Sequence, residues 1–147
     1  MTKESGLWTT LHRACSPFGR MIRVENPADP GTPDVAYVLW YRGRTAQGWC
    51  ELKRIDGWPK LAHTPIRLEH AERVRTQAIW QEQWESAGGR ATTLLRIGPE
   101  TFFFLPPWLL KRMAQGAVGR DELFAGAAMK TEGIQTGRWL EWLCREK

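Results

Sequence analysis

The chain has 147 residues, 42% of them hydrophobic and 25% charged, which is typical of one compact globular domain and unlike a disordered or membrane-embedded chain. Basic residues outnumber acidic ones by 21 to 16, so the net charge of +5 fits a phosphate-rich partner. No stretch approaches the roughly 18 to 20 continuous apolar residues that cross a bilayer, and the amino terminus lacks a signal-peptide pattern. We therefore expect a cytoplasmic protein without a membrane partner.

The first half of the chain predicts one helix and three strands. Apolar residues recur at helical spacing from Leu7 to Leu11, and Pro17 ends that helix. Alternating apolar residues and turn signals then predict strands. The predicted elements are a helix over about 4–15, strands over about 18–24, 34–41 and 47–54, and a turn over 42–48 between the last two strands.

The second half begins with the longest predicted helix, over about 67–87, which has no internal Gly or Pro and is closed by Gly88-Gly89. Its predicted inner stripe consists of Val74, Gln77, Trp80, Gln81 and Trp84. Strands over 91–97 and 101–105 follow, and then helices over about 106–113, 120–129 and 135–145.

The last predicted helix is strongly apolar on one side, at Trp139, Trp142 and Leu143. This stripe would either cover the sheet or join a second subunit in a homodimer. The three cysteines are odd in number and widely spaced, so neither a disulfide framework nor a zinc site is predicted, and no organic cofactor is expected. The three histidines also form no ligand motif, and we assign them no catalytic role.

Two short motifs suggest a metal site. Gly31-Thr32-Pro33-Asp34 opens a strand, and Glu51-Leu52-Lys53 lies 17 positions later (51 − 34) within the next strand. Side chains alternate along an extended segment, so Glu51 and Lys53 share a face. If the two strands pair, Asp34 and Glu51 can converge at one end of the hairpin.

These residue types match the needs of phosphodiester hydrolysis, which requires a nucleophilic water and neutralisation of a dianionic transition state. A hard divalent cation can meet both needs, and carboxylate oxygens suit Mg²⁺ or Mn²⁺. The predicted metal ligands are Asp34, Glu51 and the backbone carbonyl of Leu52. Lys53 would orient the attacking water or stabilise the developing charge.

Gly31, Pro33, Asp34, Glu51 and Lys53 together resemble the motifs of the PD-(D/E)XK nuclease superfamily. The resemblance covers about residues 19–98 and is closest to the virus-type replication–repair nuclease (VRR-NUC) branch and to small phage endonucleases, including Holliday junction resolvases. It implies a restriction-endonuclease-like α/β fold, with an α-β-β-β-α-β core and a mixed central sheet flanked by helices. We expect a single nuclease domain over 1–147, with a core over about 4–105 and a helical extension over 106–147.

The resemblance also implies two further site residues. In related nucleases a Gln on the following helix approaches the catalytic Lys and the scissile phosphate, and Gln77 fits that position; alternatively, it caps a buried backbone group. The third acid often comes from the first helix, which offers only Glu4. We assign this role to Glu25 instead, although Glu25 could form a salt bridge with Arg23 or Arg42.

We therefore expect a Mg²⁺- or Mn²⁺-dependent DNA endonuclease of phage or mobile-element origin that acts on branched or distorted DNA in the host cytoplasm. The alternatives are a sequence-specific restriction-type or nicking endonuclease, and a non-catalytic DNA-binding or assembly protein on the same scaffold. The predicted DNA contacts are Arg23, Asn26, Arg42, Arg44, Arg54, Trp58, Lys60 and Arg73.

Overall fold

The computed structural model of the protein describes residues 3–25 and 28–147. Its six strands form one sheet in chain order, and every neighbouring pair is antiparallel except β3 and β4, which are parallel. The strands are β1 (Gly19–Arg23), β2 (Val35–Tyr41), β3 (Arg44–Ile55), β4 (Ala91–Ile97), β5 (Thr101–Leu105) and β6 (Met129–Glu132). The helices are α1 (Lys3–Cys15), α2 (Ala71–Ser86), α3 (Pro107–Ala114), α4 (Arg120–Gly126) and α5 (Thr136–Leu143), with a 3-10 turn at Ser16–Phe18.

Helices cover both faces of the sheet, as the predicted α/β fold requires. Helices α1 and α5 pack on one face, and α2, α3 and α4 pack on the other. Strands β4 and β5 are almost wholly buried because alternate residues enter the two cores; Leu94 packs with α1 and α5, whereas Leu95 packs with α2 and α3. None of the helices in the described part of the chain is long and apolar enough to cross a bilayer.

The hairpin between β2 and β3 is tighter than the predicted seven-residue turn. Only Arg42 and Gly43 form the turn, with φ values of 51° and 79°. Two consecutive positive φ values give the turn type whose twist matches that of the flanking strands. Strand β3 therefore begins at Arg44, and it is long enough to pair with β2 along half of its length and to extend past β2 toward the metal motif.

The segment 106–147 is not purely helical, contrary to the sequence prediction. Met129–Glu132 forms β6 on the edge of the sheet, beside β5, where no strand was predicted between the helices over 120–129 and 135–145. Only Thr131 is fully buried in this four-residue strand, so its hydrophobic alternation is too weak to be read from the sequence. The pairing with β5 determines its conformation.

Helix α2 begins four residues later than predicted, because His70 adopts a left-handed conformation with φ of 59° and interrupts the helix. The predicted inner stripe is also partly wrong. Val74, Gln77 and Gln81 are buried, but Trp84 is 41% exposed. The partly exposed Trp80 stacks on Trp84 at the side of the helix, with ring centroids 5.0 Å apart.

The apolar stripe on α5 covers the sheet, the first of its two predicted roles. Trp139 and Leu143 are fully buried in the core formed with α1. The Trp139 indole N–H donates to Thr131 Oγ1 at 3.0 Å, and its ring meets Phe102 and Phe104 edge to face. These residues are therefore not available as a subunit interface.

We predict that Trp139→Ala destabilises the monomer by about 3–5 kcal/mol, because it removes a fully buried indole from the core and leaves a cavity. Denaturant unfolding followed by circular dichroism would measure the loss. Trp108→Ala, at a tryptophan that is 49% exposed on α3, is the matched control and should cost far less. Equal losses in the two variants would contradict the packing described for α5.

Candidate metal centre

The β2–β3 hairpin brings Asp34 and Glu51 together, as predicted from the sequence. Val35 pairs with Cys50, so the residues just before and just after this pair are neighbours at the open end of the hairpin. The Leu52 backbone N–H donates to Asp34 Oδ2 at 2.9 Å and lies 3.3 Å from Glu51 Oε1. The Leu52 N–H thus lies between the two carboxyl groups and brings them close together.

The register of the strands leaves the Leu52 backbone without a ladder partner on β2. The Trp49 N–H donates to the Arg90 carbonyl, and the Ile55 carbonyl accepts from the Gly98 N–H. The N–H and C=O groups of odd-numbered residues in β3 therefore face β4, and those of even-numbered residues face β2. Continuing the β2–β3 register two residues beyond the Val35–Cys50 pair places Leu52 opposite Pro33. Proline has no N–H to donate. Its position leaves the Leu52 carbonyl free of a ladder hydrogen bond beside the two carboxyl groups.

Glu51 is the most unusual ionisable group of the site. Its side chain is only 1% exposed, and Oε2 has no hydrogen-bond partner within residues 3–25 and 28–147. Burial raises the pKa of Glu51 well above its ordinary value, and the neighbouring Asp34 raises that pKa further, whereas Lys53 and the Leu52 N–H oppose the rise. Ionisation of Glu51 at this buried position beside Asp34 therefore needs a compensating cation.

These donors fit a hard divalent cation. Two carboxylates and a backbone carbonyl are oxygen ligands of the kind that Mg²⁺ and Mn²⁺ prefer, and the unpartnered Glu51 Oε2 is available to bind. A cation would compensate the charge of an ionised Glu51 and reduce the repulsion between the two carboxylates.

The carboxyl pair lies in a cleft of about 600 Å³, between the end of the hairpin and the start of α2. Lys53 lies on the same side of β3 as Glu51 and is partly exposed to this cleft. The described lining contains five cationic side chains, four acidic side chains and His70; the cations are Arg23, Lys53, Arg54, Arg67 and Arg73, and the acids are Asp34, Glu51, Asp56 and Glu69.

Gln77 reaches the same cleft from α2. It is 5% exposed, and its Oε1 has no hydrogen-bond partner in the described part of the chain. One helical turn later, Gln81 donates to Thr93 Oγ1 at 3.0 Å, and Thr93 is the β4 residue paired with Glu51. The alternative role for Gln77 is to cap a buried backbone group, and its Oε1 makes no such hydrogen bond within the described residues.

The predicted DNA contacts divide into two groups. Arg23, Arg54 and Arg73 line the cleft, as does Arg67, which sequence analysis missed because no motif marks the segment before α2. His70, assigned no role from the sequence, also lines the cleft.

The other predicted contacts lie elsewhere. Arg42 is at the hairpin turn, roughly 25 Å from Asp34 at ordinary strand spacing. At the same end of the hairpin, Arg44 forms an ion pair with Glu146 at 3.1 Å. Lys60 is exposed outside the cleft lining, and Asn26 lies outside the described residues.

Trp58 has neighbours on its ring already. It stacks on Phe124 with centroids 5.8 Å apart, meets Phe103 edge to face, and has the Arg120 guanidinium 4.2 Å from its centroid. A nucleobase could stack on Trp58 only by displacing these contacts. The structure therefore favours a packing role for Trp58.

The structure does not bring Glu25 to the carboxyl pair. Glu25 is exposed and absent from the cleft lining, and no group of three His, Cys, Asp or Glu side chains among residues 3–25 and 28–147 is placed to hold a metal ion. Nor is an ion pair between Glu25 and Arg23 or Arg42 among the described contacts. The role of Glu25 as third ligand stays a prediction, and Glu4 on α1 lies outside the described side chains.

Comparison with known proteins gives little to set beside this geometry. No protein-family model matches the chain, and no curated protein matches it. Among solved structures, the chain is similar to the 1.6 Å structure of Hjc from Archaeoglobus fulgidus, a Holliday junction resolvase from an archaeal hyperthermophile. The sequences are 19% identical, the match covers 74% of this chain and 75% of that chain, and the TM-score is 0.46. The function proposed below therefore rests on the geometry of the site.

The raised pKa of Glu51 gives a pH-dependent prediction. Between the ordinary pKa of glutamate and the raised value, the unfolded chain releases a proton that the folded protein keeps, so the free energy of unfolding falls as pH rises. Glu51→Gln removes this dependence. In EDTA we expect the variant to melt at least about 3 °C above wild type at pH 8 and to lose this advantage below about pH 4.

Thermal melts over this pH range would measure the difference, with the exposed Glu141→Gln as control. Added Mg²⁺ or Mn²⁺ should then stabilise wild type and leave Glu51→Gln unchanged, because only wild type retains both carboxylates. If the melting temperatures of wild type and Glu51→Gln changed with pH in the same way, the result would contradict a buried Glu51 with a raised pKa.

Proposed function

We propose that this protein is a metal-dependent nuclease that hydrolyses phosphodiester bonds in DNA. The observation that supports this proposal best is the convergence of Asp34, Glu51 and Lys53 in one cleft whose remaining cations are arginines. Buried carboxylates alone would repel a phosphate. A divalent cation on them, beside a lysine and several guanidinium groups, would attract one.

Asp34, Glu51 and the Leu52 carbonyl would hold Mg²⁺ or Mn²⁺, which supplies Lewis-acid neutralisation of phosphate and lowers the pKa of water. The Lys53 ammonium lies on the same side of β3 as Glu51, where it can hold a water by hydrogen bonding and stabilise charge on a phosphate oxygen. The Asp34 carboxylate is fixed by the Leu52 N–H, so its geometry is set before substrate arrives. The unpartnered Gln77 Oε1 can accept a hydrogen bond from the attacking water.

The charges around the pair suit a polynucleotide. If a divalent cation neutralises Asp34 and Glu51, the described lining retains five cationic and two acidic side chains. Guanidinium groups bind phosphate oxygens bidentately, so Arg23, Arg67 and Arg73 can hold phosphates that flank the scissile bond. Contacts of this kind read the shape of the backbone rather than its base sequence.

Within this proposal, a structure-selective endonuclease acting on branched or distorted DNA is the preferred activity, in line with the resemblance to Holliday junction resolvases and to the VRR-NUC and phage endonucleases. Symmetric cleavage of a junction needs two metal sites, and a homodimer would supply the second. The buried stripe on α5 leaves the subunit interface to another surface. A sequence-specific or nicking endonuclease is the second candidate, favoured by the arginines only if they reach base edges.

We predict that Asp34→Ala and Glu51→Ala each abolish cleavage while DNA binding is kept or strengthened, because each variant removes a metal ligand and a negative charge near the phosphate. The assay uses labelled four-way junction, flap, single-stranded and linear duplex DNA with Mg²⁺, Mn²⁺ or EDTA. Lys53→Ala should also lose most activity, and Lys60→Ala, an exposed lysine outside the cleft lining, is the matched control.

Undiminished Mg²⁺-dependent cleavage by both carboxylate variants would place the active site elsewhere. DNA binding without cleavage in wild type, under every metal condition, would favour the non-catalytic binding protein. The pattern of substrates cut would separate a junction-resolving enzyme from a nicking or general nuclease.

Gln77 gives a separate test of the α2 side of the cleft. Gln77→Ala should slow cleavage by more than about tenfold, which corresponds to about 1.4 kcal/mol of barrier, with little change in melting temperature. Rate measurements at saturating metal, together with thermal melts, would check both expectations. A fall in stability with an unchanged rate per folded molecule would make Gln77 a packing residue.

A further inference from the structure

A second cavity, of about 550 Å³, lies on the same face of the sheet as the metal cleft. Its floor is formed by the outer surface of β1, β2 and β3, and its wall by the end of α2 and the Gly88-Gly89 turn. We call this cavity the aromatic groove and define it by Arg20, Ile22, Val38, Trp49, Trp84 and Arg90.

The groove exists because α2 crosses only part of this face. Helix α2 contacts β4, whereas no described helix covers β1 and β2 on this side. Ile22 and Val38 consequently remain 44% and 42% exposed, and Trp40, farther along β2 on the same face, is 57% exposed. Neighbouring exposed apolar side chains that are bordered by polar groups commonly mark a binding site.

The wall of the groove is a preformed aromatic stack. Trp80 and Trp84 are parallel within 10°, and Trp49 meets them edge to face at 5.5 and 6.0 Å. A Cβ at Gly89 would collide with the Trp84 indole, so glycine at this position lets the ring approach the backbone closely. The stack holds Trp84 in place while 41% of that residue stays exposed.

The charges bordering the groove are all positive. Arg20 and Arg90 belong to its described lining, which includes no carboxylate. The Arg90 Nε donates to the Arg145 carbonyl at 2.7 Å, which anchors its side chain. A partly exposed indole such as Trp84, together with guanidinium groups, is the combination with which proteins bind unpaired nucleobases and their phosphates.

The groove and the metal cleft are neighbours. On β2, the groove residues Ala36 and Val38 lie on the same side as Asp34, which precedes the strand. On β3, Trp49 in the groove shares a face with Glu51 in the cleft. Successive side chains on one face of a strand are roughly 7 Å apart, so the two cavities adjoin. The loop before β2 packs on α2 between the two cavities, where Trp80 Nε1 donates to Asp29 Oδ2 at 3.4 Å.

We propose that the aromatic groove binds single-stranded DNA, with an unpaired base stacked on Trp84 and its phosphates near Arg20 and Arg90. In a form that rests on the proposed nuclease function, the groove holds the unpaired part of a branched substrate whose backbone enters the metal cleft. This assigns a flap or frayed branch, rather than fully paired duplex, as the preferred substrate class.

A second copy of the chain would fit the groove less well. A twofold contact brings the same surface from both copies together. Arg20 and Arg90 from each copy would then face one another without a described carboxylate in the lining to pair with them. A polyanion supplies the missing charge.

The test measures fluorescence anisotropy of labelled (dT)12 and of a blunt 12-base-pair duplex, in EDTA so that no cleavage occurs. Trp84→Ala and Arg20→Ala should each weaken binding of (dT)12 by about tenfold, equivalent to about 1.4 kcal/mol, and change duplex binding much less. Trp108→Ala and Arg13→Ala, which alter an exposed tryptophan and an exposed arginine elsewhere, are the matched controls.

If Trp84→Ala fails to fold, Val38→Glu gives the same test from the exposed floor of the groove, with Ile134→Glu, at an exposed position outside the described lining, as control. Unchanged (dT)12 binding in the groove variants would overturn the proposal, as would wild type that does not bind (dT)12. Sedimentation that shows a wild-type dimer and a monomeric Val38→Glu would assign the groove to a second copy instead.

The two proposals fail differently. Loss of (dT)12 binding in the groove variants, in a protein that cuts no DNA with any metal, would refute the nuclease and leave the groove as a DNA-binding site. Normal cleavage of flap substrates by Trp84→Ala and Arg20→Ala, with normal affinity, would refute the groove and leave the nuclease. Asp34→Ala should bind (dT)12 as wild type does, since Asp34 lies outside the groove lining.

Discussion

The end of the β2–β3 hairpin places the buried carboxyl group of Glu51 beside that of Asp34, and the arrangement of the site depends on this constraint. Antiparallel pairing of Val35 with Cys50 fixes Asp34 beside Glu51, and Pro33 ends the ladder there because it has no N–H. The Leu52 carbonyl consequently has no ladder donor at Pro33, and the Leu52 N–H is donated to a side chain, Asp34 Oδ2. A strand terminus is thus converted into a set of oxygen ligands.

Burial makes this arrangement costly for the folded protein. Glu51 is buried, and one of its oxygens has no partner among the described residues; Gln77 on α2 lines the same cleft, and Thr93 is the β4 residue paired with Glu51. An apolar side chain at position 51 would fill this place without the penalty of a buried acid. Local features that reduce stability are characteristic of functional sites, where the ligand or reaction requires them. The cost therefore argues for a cation site and against a simple basic DNA-binding surface, to which two acids would contribute only repulsion.

Local sequence signals predicted those parts of the fold that depend on short-range geometry. The Pro-Asp turn and the alternation through Glu51 and Lys53 were sufficient to place the carboxyl pair and the lysine, because strand periodicity alone fixes which side chains share a face. The failures have long-range causes. Strand β6 forms because β5 offers an unpaired edge. Helix α2 starts late because His70 takes a left-handed conformation, which was not predicted from the sequence. The same limit explains why Arg67 was missed: arginines can be recognised as cations in a sequence, whereas tertiary structure decides which of them line the cleft.

The tryptophans show how location changes the meaning of a residue type. Trp139 is sealed in the α1–α5 core, with its indole N–H satisfied by Thr131. Trp58 is occupied by Phe103, Phe124 and Arg120. Trp84 is held by contacts to Trp49, Trp80 and the glycine turn, yet it remains partly exposed beside β1 and β2, the part of that face of the sheet that no described helix covers. A ring already fixed in place loses little conformational entropy when a planar ligand stacks on it. Helix α2 lines the cleft with Gln77 and the aromatic groove with Trp84, so it connects the proposed chemistry of the cleft with the surface that would hold an unpaired strand.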